Sequence, residues 1–222
     1  MKRYKRWLVP VFVFVVVLLV FSLIALFRYE GLNKKSGLDI PPDSFLYLGK
    51  GGDYLVQRVV RDTVTFYDIH VRSPDGRNII YPMRNSPVAV EDLGFHLPEK
   101  LSQYVVKEIV FVTQHPSLIE ESKSYSLIAG LEFSRILGTG DTGVYQLNVE
   151  HTFTEMIPSV ENSGISVRTC EDVSSQEAVV LLRKGSSTSL SVEGGCVIVQ
   201  GKNDQELIRA ADVLGYYLLG VF

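Results

Sequence analysis

KEIVFVTQHPSLIEESKSYSLIAGLEFSRILGTGDTGVYQLNVEHTF, residues 107–153, reads as a strand, a helix and a second strand. KEIVFVTQ is a short, nearly unbroken apolar run, the pattern of a strand buried on both faces in a parallel sheet. His115-Pro116-Ser117 ends it. A helix is predicted over 118–137, with Leu127, Ile128, Leu131 and Ile136 as its apolar stripe and Gly138 as its C-terminal cap. Glu120-Glu121 is read as opening that helix and complementing its dipole. Thr139-Gly140-Asp141-Thr142-Gly143 follows the helix instead of opening one, so it reads as a turn and not as a phosphate loop. VYQLNVEHTF then supplies the second strand. Strand, helix and strand joined by short loops form a βαβ unit, for which a right-handed crossover is expected.

The flanks extend this reading. Upstream, FLYLG (45–49) and YLVQRVV (54–60) read as strands, and TVTFYDIHVRSPDGRNIIYPMR (63–84) as a hairpin. Pro74-Asp75-Gly76 supplies its turn chemistry, and Pro82 and Pro87 are expected to break the return strand. A short helix is predicted from Pro98. Downstream, ISVRTC (165–170) and EAVVLLRKG (177–185) read as strands, and SLSVEGGCVIVQG (189–201) as a hairpin around Glu193-Gly194-Gly195. Asn203 and Glu206 form a capping-box pattern ahead of DQELIRAADVLGYYLL, whose Leu207, Ile208, Ala211, Leu214 and Leu218 share one face. Arg209 and Asp212, three apart, are expected to pair on that helix, which Gly220 ends. The fold class is α/β: one mixed sheet covered by two main helices.

Ahead of this domain lies WLVPVFVFVVVLLVFSLIALF, residues 7–27, which carries no charge. As a helix it would span about 30 Å, the thickness of a bilayer's hydrocarbon core. The run is about twice as long as a signal-peptide core, and Phe27-Arg28-Tyr29-Glu30 is a poor cleavage site, so it reads as a retained single-pass transmembrane helix. Lys2, Arg3, Lys5 and Arg6 precede it and Arg28, Lys34 and Lys35 follow, a bias that orients the N-terminus to the cytoplasm. Residues 1–28 are thus the cytoplasmic N-terminus and anchor, 29–44 a polar linker, and 45–222 an extracytoplasmic α/β domain at the cell membrane. The lipid bilayer is the partner expected of residues 7–27.

Residues 29–222 hold 17 Lys and Arg against 25 Asp and Glu. An acidic domain disfavours nucleic-acid binding, which needs a basic face. The two cysteines, Cys170 and Cys196, lack zinc-ligand spacing. Both fall in expected strands, where they are either a disulfide or two buried thiols. The histidines are His70, His96, His115 and His151, with no i,i+3 or i,i+4 pair among them. His115, just past a parallel strand, and His151, in the next one, are the site candidates, because open α/β sheets bind ligands at strand C-termini. Glu150 and Glu155 are the carboxylates nearest in sequence to that pairing. The bland reading is a pair of surface-loop histidines. Glu171-Asp172 reads as a solvated turn. No catalytic, cofactor-binding or metal-ligating motif emerges, no cofactor is expected, and the reading leans away from an enzyme.

Three stretches carry a resemblance: YPMRNSPVAVEDL (81–93), IVFVTQHP with LIAGLEFSRILGTG (127–140), and CVIVQGKNDQELIRAADVLGYYLLGVF (196–222). Together they resemble uncharacterised single-pass membrane proteins of archaea, over most of residues 45–222. That resemblance implies an anchor and a C-terminal strand-Gly-helix unit, and no activity. At fold level the chain is also similar to the flavodoxin-like part of the membrane-anchored cellulose synthase accessory subunit, and to the accessory α/β domain of hexosaminidase-like glycosidases. Both imply a non-catalytic role, an analogy of fold and not of site.

Three functions follow as expectations. The first is a membrane-anchored, non-enzymatic accessory or assembly protein of the cell envelope, with an envelope or export-complex protein as partner. The apolar C-terminus, residues 216–222, would dock in the core or on that partner. The second is an extracytoplasmic glycan-binding module using Tyr47, Tyr54, Tyr67, Tyr81, Tyr104, Tyr125 and Tyr145. The third is a hydrolase using His115 and His151, which requires one pocket joining both.

Overall fold

Two sheets, not one, organise the domain. The computed structural model describes residues 41–222 except 74, 92, 94–96, 99, 123–124 and 157–163. The apolar run 7–27, linker residues 29–40 and His96 lie outside the described residues. Among those described, no helix is long and apolar enough to cross a membrane. Pro42–Phe222 forms a single compact unit.

The first sheet is an antiparallel meander of β1 (Ser44–Gly49), β2 (Gly52–Arg61), β3 (Val64–Arg72) and β4 (Asn78–Met83), in that spatial order. Pro82 does not break β4. It pairs opposite Asp68 on an edge strand, where outward N–H positions have no ladder partner to lose. The second sheet takes β5 (Ile109–Gln114), β6 (Asn148–Phe153), β7 (Glu177–Lys184), β8 (Ser189–Glu193) and β9 (Cys196–Gly201) in the order β6-β5-β7-β9-β8. Strands β6, β5, β7 and β9 are mutually parallel, and β8 closes the edge antiparallel to β9. Gly194 and Gly195 both have positive φ (58° and 91°), the backbone a two-residue hairpin loop requires.

Among the described residues the helices are α1 (Pro87–Glu91), α2 (Ser102–Val105), α3 (Ser117–Glu121), α4 (Tyr125–Leu137) and α5 (Asp204–Leu218). The two long ones lie between the sheets. Gly130 of α4 approaches Leu182, Val112 and His151 of the parallel sheet, while Gly215 of α5 meets Met83 of the meander and Ile136 of α4. One apolar core therefore runs through Val56, Ile69 and Tyr81, across Phe133, Ile136 and Leu214, to Val112, Val180 and Val199. A helix layer with a sheet on either side explains why α5 buries residues around most of its circumference. The far face of the parallel sheet holds a smaller cluster of Phe111, Val179, Cys196 and Ile198.

Several expectations change. The helix expected over 118–137 is two, α3 and α4, so Glu120-Glu121 closes a short helix instead of opening a long one. Leu131 is 51 % exposed, because the sheet approaches α4 at Gly130. The helix expected from Pro98 begins at Ser102. ISVRTC forms no strand. It makes an isolated bridge at Val167 and then a 3-10 turn, Cys170–Asp172, in which Thr169 and Asp172 cap each other. Asn203 caps α5 through the Glu206 N–H at 3.0 Å, but the Glu206 carboxylate turns to Thr188 and Arg209.

Candidate functional site

The C-terminal edge of the parallel sheet gathers three polar side chains. His115 follows β5, Ser117 opens α3, and Glu155 lies just beyond β6. Ser117 Oγ is 2.8 Å from His115 Nδ1, and the Ser117 backbone N–H also donates to Nδ1 at 3.2 Å. With Nδ1 accepting, Nε2 carries the proton and donates to Glu155 Oε1 at 2.9 Å. A hollow of 320 Å³ opens beside His115 and Ser117, lined also by Leu118, Thr154, Arg183 and Lys184. Hydroxyl, imidazole and carboxylate in series is an arrangement able to activate a nucleophile.

His151 does not join this group. It sits on β6 opposite Val112 and lines a second hollow of 230 Å³ with Ile119, Leu127 and Phe153. The residue is exposed to solvent, but its Cε1 lies against Gly130 of α4, and the partial desolvation of the ring lowers its pKa from the ordinary 6.5. Of the two histidines and two glutamates considered from sequence, the structure brings together His115 and Glu155.

A second cluster lies inside the helix layer. Asp212 is fully buried and Glu132, on α4, is nearly so. The Asn85 backbone N–H (2.8 Å) and side-chain amide (2.7 Å) both donate to Asp212 Oδ2, and Arg84 Nε donates to Glu132 Oε1 at 3.2 Å. Tyr216 donates its hydroxyl to the Asn85 carbonyl. The remaining oxygens, Asp212 Oδ1 and Glu132 Oε2, have no donor. Burial first, and then the charge of Asp212, push Glu132 up to about 9. Burial also raises Asp212, but hydrogen bonding with Glu132 first, and then with Asn85 and the Arg84 backbone, holds it below its partner. The Arg209–Asp212 pair expected from spacing does not form. Arg209 bonds Glu206 at 2.9 Å and the Ala89 carbonyl at 2.7 Å. One sequence signal for the cluster exists: Glu132 sits midway between Ile128 and Ile136, four residues from each, and Asp212 four residues after Ile208.

The tyrosines form no shelf among the described residues. Tyr81 is in the core; Tyr47, Tyr54, Tyr67, Tyr104 and Tyr145 pack against it. Tyr125 is exposed by itself. The chain end is held intramolecularly: Phe222 packs against Tyr47, Tyr216 and Tyr217, and Lys50 N–H and Gly51 N–H donate to the Val221 and Gly220 carbonyls. A 250 Å³ hollow remains beside Tyr47, Tyr217 and Phe222, with Lys50 and Glu91 in its wall. Among the described residues no cluster of three or more His, Cys, Asp and Glu could hold a metal ion. Cys170 and Cys196 are bonded, with Cα atoms 5.2 Å apart, and join the 3-10 turn to the start of β9. Comparisons with protein-family models, curated proteins and solved structures found no match.

Proposed function

We propose that this chain is a membrane-tethered accessory or assembly domain on the outer face of the cell envelope. The Cys170–Cys196 disulfide is the observation that carries the reading, because such bonds persist in oxidising compartments. The uncharged run 7–27 and its flanking cations supply the tether and the orientation. The partner in this reading is an envelope or export-complex protein. Alkylation of intact cells with a membrane-impermeant maleimide, with and without reduction, tests the compartment. Labelling of the partly exposed Cys170 only after reduction supports it, and labelling only after lysis without reduction places the domain inside and ends it. Affinity purification from solubilised membranes tests the role: co-purifying envelope proteins are expected, and a lone monomer counts against assembly.

The Ser117–His115–Glu155 series supports a second reading, hydrolysis. Ser117 Oγ would attack an acyl carbon while His115 Nδ1 takes its proton and Glu155 stabilises the imidazolium; the leaving group departs with that proton as its bond to the acyl carbon breaks, and a water deprotonated by His115 then frees the acyl group from Ser117. The full chain in membranes should then react with a fluorophosphonate probe, and Ser117→Ala should abolish the reaction. Folded protein that leaves the probe untouched removes this reading.

A further inference from the structure

We infer that Glu132 and Asp212 hold a single proton between Glu132 Oε2 and Asp212 Oδ1, and that this proton latches Arg84–Asn85, at the end of the meander, onto the helix layer. Three observations carry it. The two carboxyls face each other across the contact of α4 and α5 within hydrogen-bond reach, and both are removed from water. Each uses one oxygen for a donor from the segment after β4, Arg84 or Asn85. Each leaves its other oxygen buried and without a donor. One proton satisfies both orphan oxygens at once, whereas two ionised carboxylates beside one guanidinium would bury an uncompensated negative charge.

The groups facing the pair leave few other sources of compensation. From the meander end come Arg84 and the neutral Asn85 amide. From α5 comes Tyr216, whose hydroxyl is committed to the Asn85 carbonyl. From the meander's inner face, Tyr67 and Tyr47 lie close enough to influence Tyr216, and a phenol side chain carries no positive charge to supply. Arg84 is the cation in hydrogen-bond contact with the pair. Its bond ties the meander to α4, and the Asn85 bonds tie the same segment to α5. Loss of the proton therefore acts on the joint between the two sheets. The inference concerns the interior and stands whichever compartment holds the domain.

Opening of the latch exposes both carboxyls to water and releases the proton. Between the ordinary carboxyl range and the raised one, about 4.5 to about 9, the opening equilibrium then rises about tenfold per pH unit. Amide hydrogen exchange of the full chain in detergent micelles reads this directly at Asn85, whose N–H is one of the latch bonds. Its protection factor, taken against the intrinsic rate at each pH, should fall about a hundredfold from pH 6.5 to pH 8.5. Glu132→Gln, whose amide replaces the shared proton with a permanent N–H, should hold protection level over that range. Should that variant fail to fold, Asp212→Asn serves the same purpose. Infrared spectra at pH 7.5 should show a protonated carboxylic-acid band in the wild type that the variant lacks. Level protection in the wild type, an equal fall in the variant, or no protonated band would each overturn the latch.

Discussion

At the scale of single residues, Asp212 shows how burial reassigns a charge. On a helical wheel it invites pairing with Arg209, but the inward side of α5 turns it toward Asn85 and Glu132. The energetic consequence has a definite sign. Glu132 keeps a proton in the folded state that the unfolded chain gives up above about pH 4.5. Its contribution to stability is therefore fully present below that pH and is lost as pH rises toward about 9. Urea titrations from pH 5 to pH 9 should show stability declining by up to about 1.4 kcal/mol per unit, and Glu132→Gln should flatten the decline. Tyr216 offers a simpler case. Tyr216→Phe removes the donor to the Asn85 carbonyl in a buried site and should cost about 1–2 kcal/mol, measured as a shift in urea midpoint.

At the scale of elements, close approach of helices and strands sets the tolerances. Gly201 ends β9 where α5 begins, and a Cβ there would lie 2.3 Å from the Leu207 backbone nitrogen. Gly215 lies in the last turn of α5, and its Cβ would meet the Met83 Cε at 2.7 Å and the Ile136 Cδ1 at 3.2 Å. Backbone cannot yield as a methionine tip can. Gly201→Ala should therefore cost about 3 kcal/mol or more, and Gly215→Ala about 1 kcal/mol, with the order of the two urea midpoints as the check. The same closeness explains α4, where Gly130, and not Leu131, is pressed to the sheet.

At the scale of the whole molecule, the disulfide and the chain end close the structure on itself. Cys170 and Cys196 are 26 residues apart, a loop whose closure is worth about 3.5 kcal/mol by chain entropy. Replacing both with serine should lower the unfolding free energy by about that amount, and reductant should then leave the stability of the variant unchanged. The C-terminal residues bind back over β1 and its turn through Val221, Gly220 and Phe222. Arg77, next to the β3–β4 turn, donates to the carbonyls of Asp141 and Gly143 and ties the meander to the βαβ unit at a second place.

Local pattern alone determined the parts whose physics is local. Residues 107–153 form a parallel βαβ unit because a continuous apolar run, a 3.6-residue period and glycine turns each act within a few residues. The β3–β4 hairpin, the Gly194-Gly195 turn and the Asn203 cap followed from the same kind of signal. Tertiary structure alone decided that the strands divide into two sheets around a helix layer, since apolar alternation says which face is buried and not what covers it. It also decided that Cys170 reaches Cys196 from a 3-10 turn, that Ser117 and Glu155 meet at His115, and that Glu132 meets Asp212 across 80 residues of chain. Each of these is a contact between segments distant in sequence, and its energy depends on shared burial that no single segment encodes.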